Sequence, residues 1–140
     1  MIGLAEGMLI PVIQRTDQLN LFSLASATQQ VRHRAEANQL RSSDMGEGTF
    51  TISNLGMFEI DSFTAVINPP EVGILALGKI KEQPAIVNGA IVARPLMIAT
   101  LSVDHRLVDG IIAARFLTAI KDILENPFRL VLDLPQDGNQ

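Results

Sequence analysis

The chain has no cysteine. Disulfides, thiolate metal ligands and a thiol nucleophile are therefore excluded, and a reducing compartment suits it. Trp and Tyr are absent as well, and no basic tract occurs. The net charge is −4 and the pI about 5.0. A nucleic-acid binder needs a positive footprint and commonly stacking aromatics, so that class is disfavoured. Long apolar runs are also missing. The stretch 96–101 is interrupted by Thr100, and nothing approaches the ~18 consecutive apolar residues of a membrane span. Met1-Ile2-Gly3-Leu4 carries no basic n-region, so no signal peptide is visible. These absences predict a soluble, cytoplasmic chain with no membrane and no nucleic-acid partner.

What is present is apolar bulk. Hydrophobic residues make up 47% of 140 positions, enough to fill one core, and the length predicts one domain. We place it at residues 1–135, followed by a disordered tail at 136–140. So much apolar surface on so small a chain predicts some left exposed, and hence an oligomer.

In order along the chain, residues 2–5 and 8–13 read as short β segments around Glu6-Gly7, with Pro11 either placing the second at an edge or facing away from a partner. Asn20 is an N-cap for a helix over 21–37, where Leu21, Leu24, Ala25, Thr28, Val31 and Ala35 recur at three- and four-residue steps. His33, between Arg32 and Arg34, reads as part of a solvated helix face, because two like charges beside it suit neither a metal nor a base. Residues 41–48 form a loop. Residues 49–53 and 63–67 alternate like strands, with Asn54-Leu55-Gly56 a turn after the first. Asn68-Pro69-Pro70-Glu71 reads as a stiff extended connector. Residues 72–80 are a buried central strand. Asn88-Gly89 between two β runs is a type I′ hairpin signal. The second arm is expected to run on into a long strand ending at His105. A helix follows over 110–125, with Asp109 as N-cap and Ile112, Phe116, Ile120, Ile123 and Leu124 as its buried stripe. Asn126-Pro127 ends it, and residues 130–132 are expected to add a short strand.

The chemistry concentrates in Asp104-His105-Arg106-Leu107-Val108-Asp109-Gly110, where a strand-type run meets a helix-type run. A corner of this kind exposes a side chain while rigid elements hold the backbone. A histidine ending a strand is often a satisfied core residue. Here Asp104, Arg106 and Asp109 surround it with charge, which is costly to bury unless paired and used, and imidazole is the usual general base near neutrality. Asp109 serves equally as a helix cap or as an anchor for an arginine. Ser53 alone reads as a turn former at a strand end. A Ser53/His105/Asp109 hydrolase triad is a poor reading, because Thr51-Ile52-Ser53-Asn54 lacks the G-x-S-x-G elbow. His105 and Asp109 are too few for a metal site.

Four stretches in order resemble the dihydrolipoyl acyltransferases, the core components of 2-oxo acid dehydrogenase complexes. They are Ile2-Gly3-Leu4-Ala5 with Leu9-Ile10-Pro11-Val12-Ile13; Thr49-Phe50-Thr51-Ile52-Ser53-Asn54-Leu55-Gly56; Ile67-Asn68-Pro69-Pro70-Glu71; and the DHRxxDG stretch from Asp104 to Gly110. The likeness covers residues 2–132. It implies an α/β fold of the chloramphenicol acetyltransferase type, a mixed β-sheet packed with helices, whose N-terminal part this chain lacks. It also implies trimers or larger cores with active sites at subunit boundaries. By the same resemblance His105 is the general base, Ser53 from the facing subunit is the oxyanion donor, and Asp109 holds the architecture through an arginine. Coenzyme A and a lipoyl group carried on a separate domain are the implied substrates, with other complex components as partners; residues that bind them are not implied. A eukaryotic source would imply the mitochondrial matrix. Gly56-Met57-Phe58-Glu59-Ile60-Asp61-Ser62-Phe63 resembles the acetyl-transferring members most. The rival expectation is an inactive fragment or paralogue that keeps the trimeric scaffold.

Overall fold

In the computed structural model, which describes residues 2–4 and 7–131, Asn88 and Gly89 take φ of 52° and 81°. These are the left-handed values that a type I′ turn demands. The expected hairpin is there: β5 (Lys81–Val87) pairs antiparallel with β6 (Ala90–Leu96), Ile86 opposite Ile91. It is a two-stranded ribbon of its own. The strand expected to continue to His105 is instead broken at Met97-Ile98. After that break β7 (Ala99–Val103) joins a different sheet.

That sheet has three strands in the order β3-β4-β7, where β3 is Thr51–Asn54 and β4 is Gly73–Leu77. β3 runs parallel to β4, and β7 runs antiparallel to it. The central strand is the buried one: Ile74 is fully buried, and Leu75 and Ala76 nearly so. A run apolar on both faces is what such a position selects. Beyond β4 the chain passes Gly78, where an added Cβ would lie 1.9 Å from the Asp61 carbonyl oxygen. Only glycine permits that approach.

Two expectations fail in this part of the chain. Residues 63–67 form no strand. Their burial does alternate, half-buried at Phe63, Ala65 and Ile67 and exposed at Thr64 and Val66, but pleated alternation without a ladder partner is not a strand. Asn68-Pro69-Pro70-Glu71 is not extended either. It is a turn with a cis Pro69-Pro70 bond, closed by the Glu71 N–H donating to the Asn68 carbonyl at 2.9 Å.

Residues 49–110 pack as one unit; residues 2–48 and 111–131 pack as another. In the second, β1 (Ile2–Leu4) pairs antiparallel with β2 (Gly7–Leu9). The expected strand thus stops before Pro11. α1 (Leu21–Glu36) starts where expected, with the Asn20 Oδ1 accepting from the Ser23 N–H at 2.8 Å. It ends in a Schellman arrangement: Asn38 adopts φ 54°, and the Gln39 and Asn38 N–H groups donate to the Arg34 and Ala35 carbonyls. Val31 and Ala35 are its buried residues, the two C-terminal members of the expected stripe. His33 is exposed, as expected.

The loop after α1 is tied down by charge. Arg34 donates from Nε and Nη2 to both oxygens of Asp44, at 2.9 and 2.7 Å. The Arg41 N–H donates to the same carboxylate, while the Asp44 carbonyl accepts from the Val12 N–H. These donors, the Arg34 guanidinium first and the Arg41 N–H second, hold the Asp44 carboxyl down at about 2.

α2 (Gly110–Glu125) has the predicted bounds. Its expected stripe is only partly covered: Ile112, Phe116 and Leu124 are 55%, 45% and 54% exposed, while Ile120 and Ile123 are half-buried. Residues 128–131 form a short helix, α3 (Phe128–Val131), where a strand was expected. Leu132 and the expected disordered tail lie outside the described residues.

Candidate active site

β7 ends at Val103, and the chain turns at once. The Asp104 N–H donates to the Val72 carbonyl at 2.9 Å, which fixes the turn against the lead-in to β4. The Asp104 carbonyl then accepts from both the Leu107 and Val108 N–H groups at 3.0 Å. Its carboxylate accepts from the Arg106 N–H at 3.0 Å, an Asx turn, and from the Arg106 Nε and Nη2 at 2.9 and 2.6 Å. One residue therefore organises the whole corner, and His105 stands between the two ends of this clamp with its side chain exposed.

The clamp is electrostatic as well as geometric. The Arg106 guanidinium, followed by its own N–H, holds the Asp104 carboxyl down at about 2. Asp104 in turn raises the pKa of Arg106. The charges flanking the histidine are thus paired with each other. The sequence showed the cluster but not this pairing. The signal for it was an aspartate two residues before an arginine at a strand end, the spacing at which an aspartate bonds the backbone two residues on.

Asp109 follows the turn, is exposed, and immediately precedes the first residue of α2. Ser53 lies elsewhere in the sheet. It belongs to β3, is 3% exposed, and stands in register with Ala76, which faces Thr100. Asn54 closes that strand, its Oδ1 accepting from the Gly56 N–H at 2.8 Å, so the turn expected there is present. Ser53 is therefore on one outer strand of the sheet, and His105 follows the end of the other. Two strand spacings and the rise from Thr100 to Val103 separate Ser53 from the end of β7 by ~14 Å. The ladder itself thus holds Ser53 well away from the point where the histidine corner begins.

Among the described residues, no three His, Asp or Glu side chains group closely enough to hold a metal ion, and no helix is long and apolar enough to cross a membrane.

A family model described as 2-oxoacid dehydrogenases acyltransferase (catalytic domain) matches residues 2–132. The chain belongs to this acyltransferase family. It is 47% identical over 131 residues to the dihydrolipoyllysine-residue acetyltransferase component of the mitochondrial pyruvate dehydrogenase complex of Schizosaccharomyces pombe, covering 91% of this chain and 27% of that protein. It is 43% identical over 129 residues to the dihydrolipoyllysine-residue succinyltransferase component of the 2-oxoglutarate dehydrogenase complex of Pseudomonas aeruginosa, covering 92% and 32%. The chain thus spans about a third or less of the length of these relatives. Among solved structures it superposes on the dihydrolipoamide acetyltransferase of Azotobacter vinelandii with a TM-score of 0.84 and 37% identity, over 91% of this chain and 52% of that one. That crystal structure belongs to an investigation of the role of a serine, a histidine and an asparagine in the enzyme's catalytic mechanism. The acyltransferase fold expected from the sequence is confirmed: a mixed α/β arrangement like that of these catalytic domains.

Proposed function

We propose that the chain moves an acyl group, acetyl in the first instance, between dihydrolipoamide and coenzyme A. His105 is the general base: its imidazole takes the proton of the incoming thiol. The resulting thiolate attacks the thioester carbonyl, and the carbonyl oxygen becomes an oxyanion. Ser53, brought from a facing copy, donates its hydroxyl proton in a hydrogen bond to that oxygen, and one such donor in a dry site is worth ~3–4 kcal/mol in the transition state. Collapse expels the other thiolate, which takes the proton back from His105. Asp109 is a structural anchor. The carrier of the lipoyl group is a separate domain.

One observation carries this reading. In the Azotobacter enzyme the studied serine precedes the histidine by 52 positions, and the asparagine follows it by four. Ser53, His105 and Asp109 have the same two spacings. The histidine is exposed at a clamped corner, as a base that meets a substrate must be. The ~14 Å between Ser53 and the end of β7 within one chain supports a site completed by a second copy. So do the exposed apolar side chains of α2. A trimer, or a larger core of a 2-oxo acid dehydrogenase complex, is the assembly that fits.

Acetyl is favoured by residues 56–63, which resemble the acetyl-transferring members most. The test is the rate of transfer from acetyl-coenzyme A to dihydrolipoamide, with succinyl-coenzyme A in parallel. His105→Ala should lower the acetyl rate by about 10²–10⁴. Equal rates for His105→Ala and the parent chain would sink the reading and leave the inactive scaffold in its place. A faster succinyl reaction would overturn the acyl assignment alone.

A further inference from the structure

β3 is folded against its own hydrophobic pattern. It buries Thr51 and Ser53, 4% and 3% exposed, and leaves Ile52 52% exposed. A slip of one residue along β4 would bring Ile52 inward and turn both hydroxyls outward. Burial of apolar area favours that slip. β3 is only four residues long and is the outer strand of the three, laddered on one side. Something other than its apolar content must fix its register.

A polar tie stands at the start of the strand. The Thr51 Oγ1–H donates to the Glu71 Oε2, a hydrogen bond between two buried residues. The Asn68 Nδ2 donates to the other carboxylate oxygen at 3.4 Å. Glu71 closes the Asn68–Glu71 turn through its own N–H, so its carboxylate is held by the backbone that leads into β4. In the slipped register the Thr51 hydroxyl would point away, and Glu71 would be left buried without that donor, a loss that opposes the apolar gain. The next residue, Val72, accepts the Asp104 N–H. Neighbouring residues of one turn thus hold the serine strand on one side and the histidine corner on the other.

We propose that Glu71 is a positioning residue for Ser53: by accepting the Thr51 hydroxyl it sets the register of β3 and so the place from which Ser53 donates. The proposal rests on the reading of Ser53 as oxyanion donor, and its test separates the two. Thr51→Val removes the donor at nearly constant shape. Glu71→Gln keeps an acceptor oxygen, and the Asn68 amide can turn over to meet the new NH₂ group.

Amide hydrogen exchange on the full chain reads how firmly β3 is held in its ladder. Thr51→Val should speed exchange at residues 52–55 by about ten-fold or more while the β5–β6 hairpin keeps its protection, and Glu71→Gln should leave both alone. Equal acceleration in both segments, or none, would overturn the proposal. In the acetyl-transfer assay Thr51→Val should lower kcat about ten-fold with KM within about two-fold, and should add nothing in a Ser53→Ala background. An undiminished kcat in Thr51→Val, or the same factor lost in the Ser53→Ala background, would overturn it too. A Ser53→Ala chain as fast as the parent would instead sink the oxyanion reading, while the exchange result would still decide the register.

Discussion

Arg106 closes on the carboxylate of Asp104 from three sides, two guanidinium nitrogens and its own backbone N–H, and His105 sits inside the loop so formed. The pair does not confer stability in any general sense, since the Arg106 side chain is 87% exposed and water screens such a pair. Its effect is directional: it fixes the backbone on both sides of an exposed imidazole.

Arg106→Leu should therefore leave the melting temperature nearly unchanged but lower kcat by about ten- to a hundred-fold, because small misplacements of a reacting group are costly. Asp104→Ala should do the same and also lower the melting temperature, since it removes the Asx turn too. Thermal melts and steady-state rates on the two variants check this. A melting loss in Arg106→Leu as large as that in Asp104→Ala would argue against a purely positional role.

Asp109 is tested by the chemistry of its substitute. The Azotobacter enzyme has an asparagine four residues after its histidine, and an amide can hydrogen-bond but cannot carry the carboxylate's charge. An anchoring role predicts that Asp109→Asn keeps kcat within about three-fold, while Asp109→Ala loses about ten-fold or more. Equal losses in both would point to the charge.

The Asp44 carboxyl is held at about 2, against an ordinary value of 3.8. A carboxyl whose folded value lies below its unfolded one contributes stability that is fully present above about 4 and is lost as pH falls through about 2. Asp44→Asn should melt below the parent chain at pH 6. The difference should close between pH 4 and pH 2. A gap that stayed constant down to pH 2 would mean the charge contributes nothing.

Ile74→Ala empties the centre of the three-stranded sheet, where the side chain is fully buried, and should cost about 2–5 kcal/mol in urea unfolding. Gly78→Ala should be worse tolerated, because its methyl would overlap the Asp61 carbonyl oxygen and neither backbone can yield. A Gly78→Ala chain as stable as the parent would show that this segment packs differently in solution.

The exposed side chains of α2 predict self-association. Sedimentation at micromolar concentration should show a multimer, and Phe116→Lys should shift it toward monomer, since a charge cannot be buried there without a partner. Chains that sediment as monomers with or without the lysine would count against a site shared between copies.

Much of this was legible residue by residue. The Asn20 cap, the three- and four-residue steps of α1, the Asn88-Gly89 turn and both bounds of α2 follow from local geometry, because each depends on residues within a few positions of one another. The same holds for His105 as an exposed corner residue. Where the outcome depended on a distant partner, the reading failed. Residues 63–67 alternate as a strand should, but no described strand pairs with them. Residues 130–132 were too short for periodicity to separate helix from strand. Glu71 looked like part of a connector, since nothing near it in sequence announces Thr51.

By itself, then, the sequence determined the start of α1, both bounds of α2 and the Asn88-Gly89 turn, and it showed the stretches that resemble the acyltransferase family. Tertiary structure alone decided that Glu71 takes Thr51, and that the strand of Ser53 and the strand leading to His105 are the two outer strands of one sheet. The reason is physical. Propensity, capping and turn preference are short-range, whereas ladder pairing and the burial of a carboxylate require groups about twenty or more residues apart to meet, and only the folded chain specifies which ones do.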